Sequence, residues 1–194
     1  MIDRLEALDQ ELMLYLNGFH NETMDSLMWL VSEKLFWIPV YLLILIGVQR
    51  QFGWKYFGLF VLGVVLTVTL CDRVSVELFK EVFQRYRPCH NVILGPDIHT
   101  VEKCGGQFGF VSSHACNYFG VATLSALWFR RRWMVISLML WAGLIAYSRV
   151  YLGVHYPADI LCGGLLGVLL GWIAHRVVGF IGQRFLKLPA VPSS

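Results

Sequence analysis

Five stretches of the chain are apolar without interruption. Residues 35–48, 56–71, 115–129, 133–148 and 160–174 hold no charged side chain. Each run is 14 to 16 residues long, somewhat short of the ~20 that cross a bilayer core as a helix. Trp, Tyr, Lys and Arg flank their ends, where such side chains anchor or snorkel at an interface. The pattern predicts five transmembrane helices, with residues 27–32 extending the first across Glu33 and Lys34. Helices of a soluble bundle would carry charged faces, and these runs have none. The N-terminus differs: Leu5, Leu8, Leu12 and Leu16 recur at helical spacing, with Glu6, Asp9, Gln10 and Glu11 on other faces. Residues 1–22 therefore predict an amphipathic helix lying on the membrane surface. It has no basic lead and no unbroken apolar core, which separates it from a signal peptide. Residues 80–111 read as one long extramembrane loop, and 188–194 as a frayed tail. Gly163, Gly167 and Gly171 share one face of the last helix and permit close helix contact. The expected fold is an all-α polytopic membrane helix bundle forming a single domain over 1–194.

Composition agrees. Of 194 residues, 57% are hydrophobic and 15% charged, against about 25% charged in an ordinary soluble domain. Mean hydropathy is +0.59. These values exclude a cytosolic enzyme, a disordered chain and a secreted disulfide scaffold. A net charge of +3 without a basic stripe leaves no case for nucleic acid. Charge also orients the chain. Arg50, Lys55, Arg130, Arg131, Arg132, Arg176, Arg184 and Lys187 fall in the turns and tail on one side, with no acid among them. The positive-inside rule puts that side, with the C-terminus, in the cytoplasm. The 80–111 loop and the 149–159 turn then face the periplasm or cell exterior, which fits a bacterial inner membrane. Cys89 and Cys104 both lie in that outward loop, and a disulfide between them suits an oxidising compartment. Cys71, Cys116 and Cys162 fall in apolar runs, where an inert buried thiol is the default.

The chemistry-bearing residues gather at the outer ends of the predicted helices. Lys80 and Arg87 are seven apart and would share a helix face, with Pro88 ending that helix. Ser112, Ser113 and His114 read as an N-cap and first turn. Ser148 and Arg149 end one run, and His155, Pro157 and Asp159 open the next. Ionisable groups at membrane depth are costly and line cavities or pathways. Lys80, Arg87 and Arg149 would repel one another in a dry pocket unless an anion joined them. Arginine suits bidentate contact with phosphate oxygens, and free N–H groups at a helix start add an anion site. His155 and Asp159, four apart, can pair so that one imidazole nitrogen is held and the other is free. His114 supplies a second imidazole, so one histidine can attack phosphorus while the other protonates the leaving oxygen. Acids near the site form no metal-ligand cluster, so neither a metal nor another cofactor is expected. Arg85 reads as a solvated side chain outside the site, and His20, His90, His99 and His175 as structural or interfacial groups.

These residues stand in a familiar order. KEVFQRYRP (Lys80 to Pro88) and SRVYLGVHYPAD (Ser148 to Asp159) resemble the KxxxxxxRP and SRxxxxxHxxxD motifs of the type 2 phosphatidic acid phosphatase (PAP2) superfamily of membrane lipid phosphatases. The intervening VSSH (Val111 to His114) resembles that family's PSGH, with Val111 in place of Pro and Ser113 in place of Gly. The resemblance implies that His155 is a nucleophile forming a phosphohistidine, Asp159 its orienting carboxylate and His114 the acid for the leaving group. It implies phosphate binding by Lys80, Arg87, Ser112 and Arg149, with a backbone N–H from Ser113. The implied activity is metal-independent hydrolysis of a lipid phosphate or diphosphate among membrane lipids at the outer face. The family's substrates point to undecaprenyl diphosphate, phosphatidylglycerophosphate, phosphatidic acid or a lipid A phosphate. Two other readings remain at this stage: a lipid-phosphate carrier without hydrolysis, and a vanadate-dependent haloperoxidase. The oligomeric state is left open.

Overall fold

Capping groups and turns divide the chain into seven helices in the computed structural model, which describes residues 2–189. Helix α1 (Ile2–Asn17) leads into α2 (Glu22–Ser32), whose N-cap Asn21 accepts from the Met24 N–H at 3.0 Å. Extended backbone at Glu33 ends α2. A 3₁₀ turn (Lys34–Trp37) then opens α3 (Ile38–Phe52). Helix α4 (Trp54–Phe83) runs through a π-helical segment at Val74–Lys80. After a long irregular segment come α5 (Ser113–Phe129), α6 (Arg132–Tyr151) and α7 (Pro157–Phe185), the last opening on a proline at its first position. The expected tail lies outside the described residues from Ala190 onward.

Lys34–Phe52, Trp54–Phe83, Arg132–Tyr151 and Pro157–Phe185 are long and apolar enough to cross a membrane. Helix α5, the fifth predicted span, has 17 residues, about 26 Å at 1.5 Å per residue. It is the central helix, buried from Ala115 to Phe129 along most of its length and packed on α4, α6 and α7. The molecule is thus an all-α membrane helix bundle. Helices α1 and α2, the segment after Phe83 and the 152–156 turn meet at one end, where Asn17 donates to the carbonyls of His99 and Tyr151 at 2.9 and 2.8 Å. The short α3–α4 and α5–α6 turns meet at the other, where Phe52 packs on Phe129 and Tyr56 bonds the Pro189 carbonyl.

Several expected boundaries shift. Residues 27–32 belong to the separate helix α2, because the Glu33 backbone turns away before α3 begins. The surface helix of 1–22 ends at Asn17. Helix α7 spans 29 residues where the charge-free run had 15, since Asp159 and the basic C-terminal turns are helical. Lys80 and Arg87 do not share a helix. Gln84 adopts a left-handed conformation (φ 48°) just after Phe83, and Tyr86 forms an isolated antiparallel bridge with Phe108. Arg87 therefore arrives on extended backbone and Pro88 starts a 3₁₀ turn.

The closest helix contact is between α5 and α7. A β-carbon on Gly163, Gly167 or Gly171 would collide with the carbonyl of Ser112, Cys116 or Gly120, one helical turn apart along α5. Backbone lies on backbone, as in small-residue membrane interfaces. This contact brings the two helix starts together, and the Ser112 N–H donates to the Asp159 carbonyl at 3.0 Å. Gly167→Val should lower the thermal unfolding midpoint in detergent, at a cost of about 1–3 kcal/mol for overpacking. Gly179→Ala, with open space at its β-carbon, should leave the midpoint unchanged.

Candidate active site

The start of α7 carries the most buried charged group among the described residues. Asp159 is fully buried and His155 is 2% exposed. The Asp159 Oδ2 accepts from the Tyr156 N–H at 3.0 Å and lies 3.4 Å from His155 Nδ1. Its Oδ1 accepts from Arg85 at 2.9 Å. On the other side of the imidazole, Arg87 Nη1 sits 3.2 Å from Nε2. A guanidinium can only donate, so Nε2 bears the lone pair and Nδ1 the proton directed at Asp159. Burial holds the His155 pKa well below the ordinary histidine value, and the cations Arg87, Arg149 and Lys80 push the same way. At neutral pH the ring is uncharged, with its Nε2 lone pair turned to Arg87. Gly109 packs on this pair: a β-carbon there would stand 3.0 Å from Asp159 Oδ2 and 3.2 Å from Arg87 Cγ.

Four elements deliver the cations and donors. Arg87, on the segment after α4, is 9% exposed and also donates to the Val154 carbonyl at 3.2 Å. Burial and the neighbouring Arg149 lower its pKa, the mark of crowded positive charge. Arg149, at the end of α6, is 8% exposed, pairs with Glu102 at 2.7 Å and donates to Ser32 Oγ. Among the described residues, the Nε atoms of Arg87 and Arg149 are both buried without a hydrogen-bond partner. Buried donors normally have partners, so these two mark room for an acceptor. Half-buried Lys80 closes the π-helical segment, within electrostatic reach of Arg87, Arg149 and Asp159. Such segments recur where a helix must aim a functional side chain.

Ser112 is fully buried, and its Oγ accepts from the Ala115 N–H at 3.4 Å as the N-cap of α5. Ser113, where the family motif has glycine, is ordinary helix without positive φ, so its β-carbon costs nothing there. Its hydroxyl lies 2.8 Å from that of Ser75 in the π-helical segment. His114 is half-buried near His155, Arg149 and Lys80. The structure thus brings Lys80, Arg87, Ser112, Ser113, His114, Arg149, His155 and Asp159 to one end of the bundle. No group of three or more His, Cys, Asp or Glu side chains among the described residues could hold a metal ion, and the charge facing an anion comes from guanidinium and ammonium groups.

Cys89 and Cys104 form a disulfide across the outer segment, with Cα atoms 6.1 Å apart. It ties the residue after Pro88 to the loop bearing Glu102. Cys71 and Cys116 are buried free thiols, and Cys162 is half-buried. His99 bonds Asp25 at 3.0 Å and stacks on His20.

Arg85 corrects the reading of a solvated side chain. It pairs with Asp159 at 2.9 Å and Asp9 at 2.7 Å, and lies 4.1 Å from the Tyr156 ring centroid. Burial works against its charge, but Asp159 and Asp9 outweigh that and raise its pKa. Asp9, Glu102 and Gly109 also escaped the sequence reading. Asp9 looked like the wet face of an amphipathic helix, and only the spare charge of Arg85 hinted at a buried partner.

A family model described as the PAP2 superfamily matches residues 54–182. The chain is similar to the lipid A 4'-phosphatase of Bacteroides thetaiotaomicron, with 36% identity over 99% of this chain and 86% of the relative. It is also similar to the lipid A 4'-phosphatase of Porphyromonas gingivalis, with 32% identity over 96% and 80%. Its fold resembles the crystal structure of a transmembrane PAP2-type phosphatidylglycerolphosphate phosphatase from Bacillus subtilis. That match has a TM-score of 0.72 at 22% identity and covers 94% of this chain and 89% of the other.

The crowding at Gly109 gives a direct test of the pocket. Gly109→Ala should weaken orthovanadate binding at least about tenfold, because the new methyl displaces Asp159 or Arg87. The thermal midpoint without ligand should stay within a few degrees of wild type, and the vanadate-induced rise in midpoint should vanish.

Proposed function

The chain belongs to the PAP2 superfamily of membrane phosphatases, and from that premise we propose that it removes a phosphate monoester from a lipid A-type glycolipid through a phosphohistidine. Metal-independent lipid-phosphate hydrolysis is the activity common to its relatives' type. The finer substrate reading draws on the two lipid A 4'-phosphatases, which match nearly the whole chain. The observation that carries the mechanism is the orientation of His155, with its Nε2 lone pair beside Arg87 and its Nδ1–H directed at Asp159.

In the first step His155 Nε2 attacks phosphorus and the ester P–O bond breaks. His114 gives a proton to the departing sugar oxygen. Arg87, Arg149 and Lys80, with N–H groups at the start of α5, balance the charge on the equatorial oxygens. Asp159 stabilises the imidazole as it becomes positive. In the second step His114 takes a proton from water, the oxygen attacks phosphorus, the P–N bond breaks and inorganic phosphate leaves. The lipid tail finds an apolar wall alongside: Phe79, Phe83 and Phe110 pack at centroid distances of 5.2 to 6.1 Å beside the end of α4. The site faces the periplasm or cell exterior and the C-terminus is cytoplasmic, on the strength of the all-basic turns at the opposite end.

Purified protein in detergent with a chelator should release phosphate from a lipid A phosphate faster than from phosphatidylglycerophosphate, phosphatidic acid or undecaprenyl diphosphate. His155→Ala should lose at least about 10³-fold in kcat, as expected when a covalent nucleophile is removed. Full release by this variant would falsify the nucleophile assignment, and no release from any substrate by wild type would favour a carrier. Orientation has its own test: cysteine at Val92, 93% exposed, should react with an impermeant thiol reagent in intact spheroplasts, whereas cysteine at Arg131 should react only after lysis.

A further inference from the structure

We infer that Asp9, on the N-terminal surface helix, is a positioning residue for the reaction, acting on Asp159 and His155 through Arg85. The inference rests on the phosphatase reading above. Three distances carry it. Asp9 Oδ2 pairs with Arg85 at 2.7 Å, Arg85 pairs with Asp159 Oδ1 at 2.9 Å, and Asp9 Oδ1 accepts from the Ala158 N–H at 2.8 Å. The side chain of Asp9 is 9% exposed, unlike its neighbours Glu6 and Leu8, which face outward. One carboxylate of α1 thus holds both the cation beside Asp159 and a free N–H in the first turn of α7.

The charge count explains why this matters. Asp9, Arg85 and Asp159 sum to one negative charge, which remains available to His155. Without Asp9, Arg85 and Asp159 become a neutral pair. Arg85 then draws the carboxylate away from Nδ1, whose contact at 3.4 Å is the longest of the three that Asp159 makes. His155 loses basicity as a nucleophile and support as it becomes positive. The phosphate-facing groups are untouched, so binding should survive while turnover falls. The charged and titratable groups around His155 are Asp159 in the first turn of α7, Arg85 and Arg87 on the segment after α4, Lys80 on α4, His114 on α5, Arg149 on α6 and Asp9 on α1. Asp9 and Arg85 can be altered without touching a phosphate ligand.

The two variants shift the proton affinity of His155 in opposite directions. Removing a negative charge lowers it, and removing a positive charge raises it. Asp9→Asn should cut kcat about tenfold with KM within twofold, and move the acidic limb of the kcat/KM–pH profile to lower pH. Arg85→Gln should also cut kcat, but move that limb to higher pH. Asp9→Glu, which keeps the charge, should leave the limb where wild type has it and recover part of kcat. Glu6→Gln, one turn away and exposed, should behave as wild type. Unchanged kcat in Asp9→Asn overturns the inference, as does a fall in kcat with the limb unmoved in both charge variants. Should Asp9→Asn fail to fold, Arg85→Gln decides alone, and a limb that stays put or moves down overturns the inference. Wild type and His155→Ala are assayed first: if wild type releases no phosphate, the phosphatase reading has failed, not the role of Asp9.

Discussion

Buried positive charge without enough fixed negative charge is the constraint around which this molecule is built. Lys80, Arg85, Arg87 and Arg149 converge at one end of an apolar bundle, where Asp9, Asp159 and Glu102 form ion pairs with Arg85 and Arg149, Asp72 and Glu33 act on Lys80 and Arg149 from farther off, and Arg87 has no carboxylate in ion-pair contact. Removing an ion from water is expensive and is offset only by partners at close range. Arg85 has two carboxylates and is settled. Arg149 has one, and Arg87 has a carbonyl and an imidazole. The remaining deficit falls where both arginines carry a buried, unpartnered Nε. A phosphate dianion would supply what is missing. In a low-dielectric pocket that attraction grows as charge spreads onto the phosphoryl oxygens in the transition state. A site left short of negative charge is thus poised for phosphoryl transfer rather than for storing a neutral lipid.

Such a cluster holds only if its supports are rigid, and the support is the α5–α7 contact. The glycines of α7 let its backbone lie against α5, which ties Ser112 to Asp159 through the main chain. Helix starts carry partial positive charge and free N–H groups. Two of them side by side reinforce the side-chain cations without adding another long side chain to order. The π-helical segment of α4 does related work. It places Ser75 within bonding distance of Ser113 and leaves Lys80 at its end. The disulfide then constrains the segment that no helix supports, joining the Arg87–Pro88 stretch to the loop that carries Glu102.

The sequence revealed the bundle and the residues that the fold gathers at one of its ends, and it missed what holds them. Charge-free runs located the helices but cut them short, because a run ends at the first ionisable residue while a helix ends where its hydrogen bonds do. Asp159 shows the difference: its charge ended the apolar run, yet it lies within the first turn of α7. Spacing put Lys80 and Arg87 on one helix face, and they do converge, but through a left-handed turn at Gln84 that ends the helix and that no periodicity shows. Arg85 and Asp9 were the larger omission. Seventy-six residues apart, each looks like an ordinary solvated charge when read locally. Their pairing is a tertiary fact, visible only once α1 folds back over the start of α7.

That fold-back gives α1 two faces with different obligations. Leu5, Leu8, Leu12 and Tyr15 are exposed, with relative accessibilities of 45 to 64%, and suit the apolar side of an interface. Asp9, Met13 and Asn17, spaced at i, i+4 and i+8, turn inward to Arg85, to the core around Tyr156 and to the Tyr151 carbonyl. A surface helix held at both faces cannot rotate without breaking one set of contacts. Rotation by one residue, about 100°, would expose Met13 and Asn17, bury leucines against a polar site and withdraw the Asp9 carboxylate from Arg85. The charge balance at Asp159 therefore depends on how a helix some 24 Å long docks on this end of the bundle. A polar centre inside an apolar bundle is in this way kept in charge balance by a helix whose opposite face is apolar and exposed.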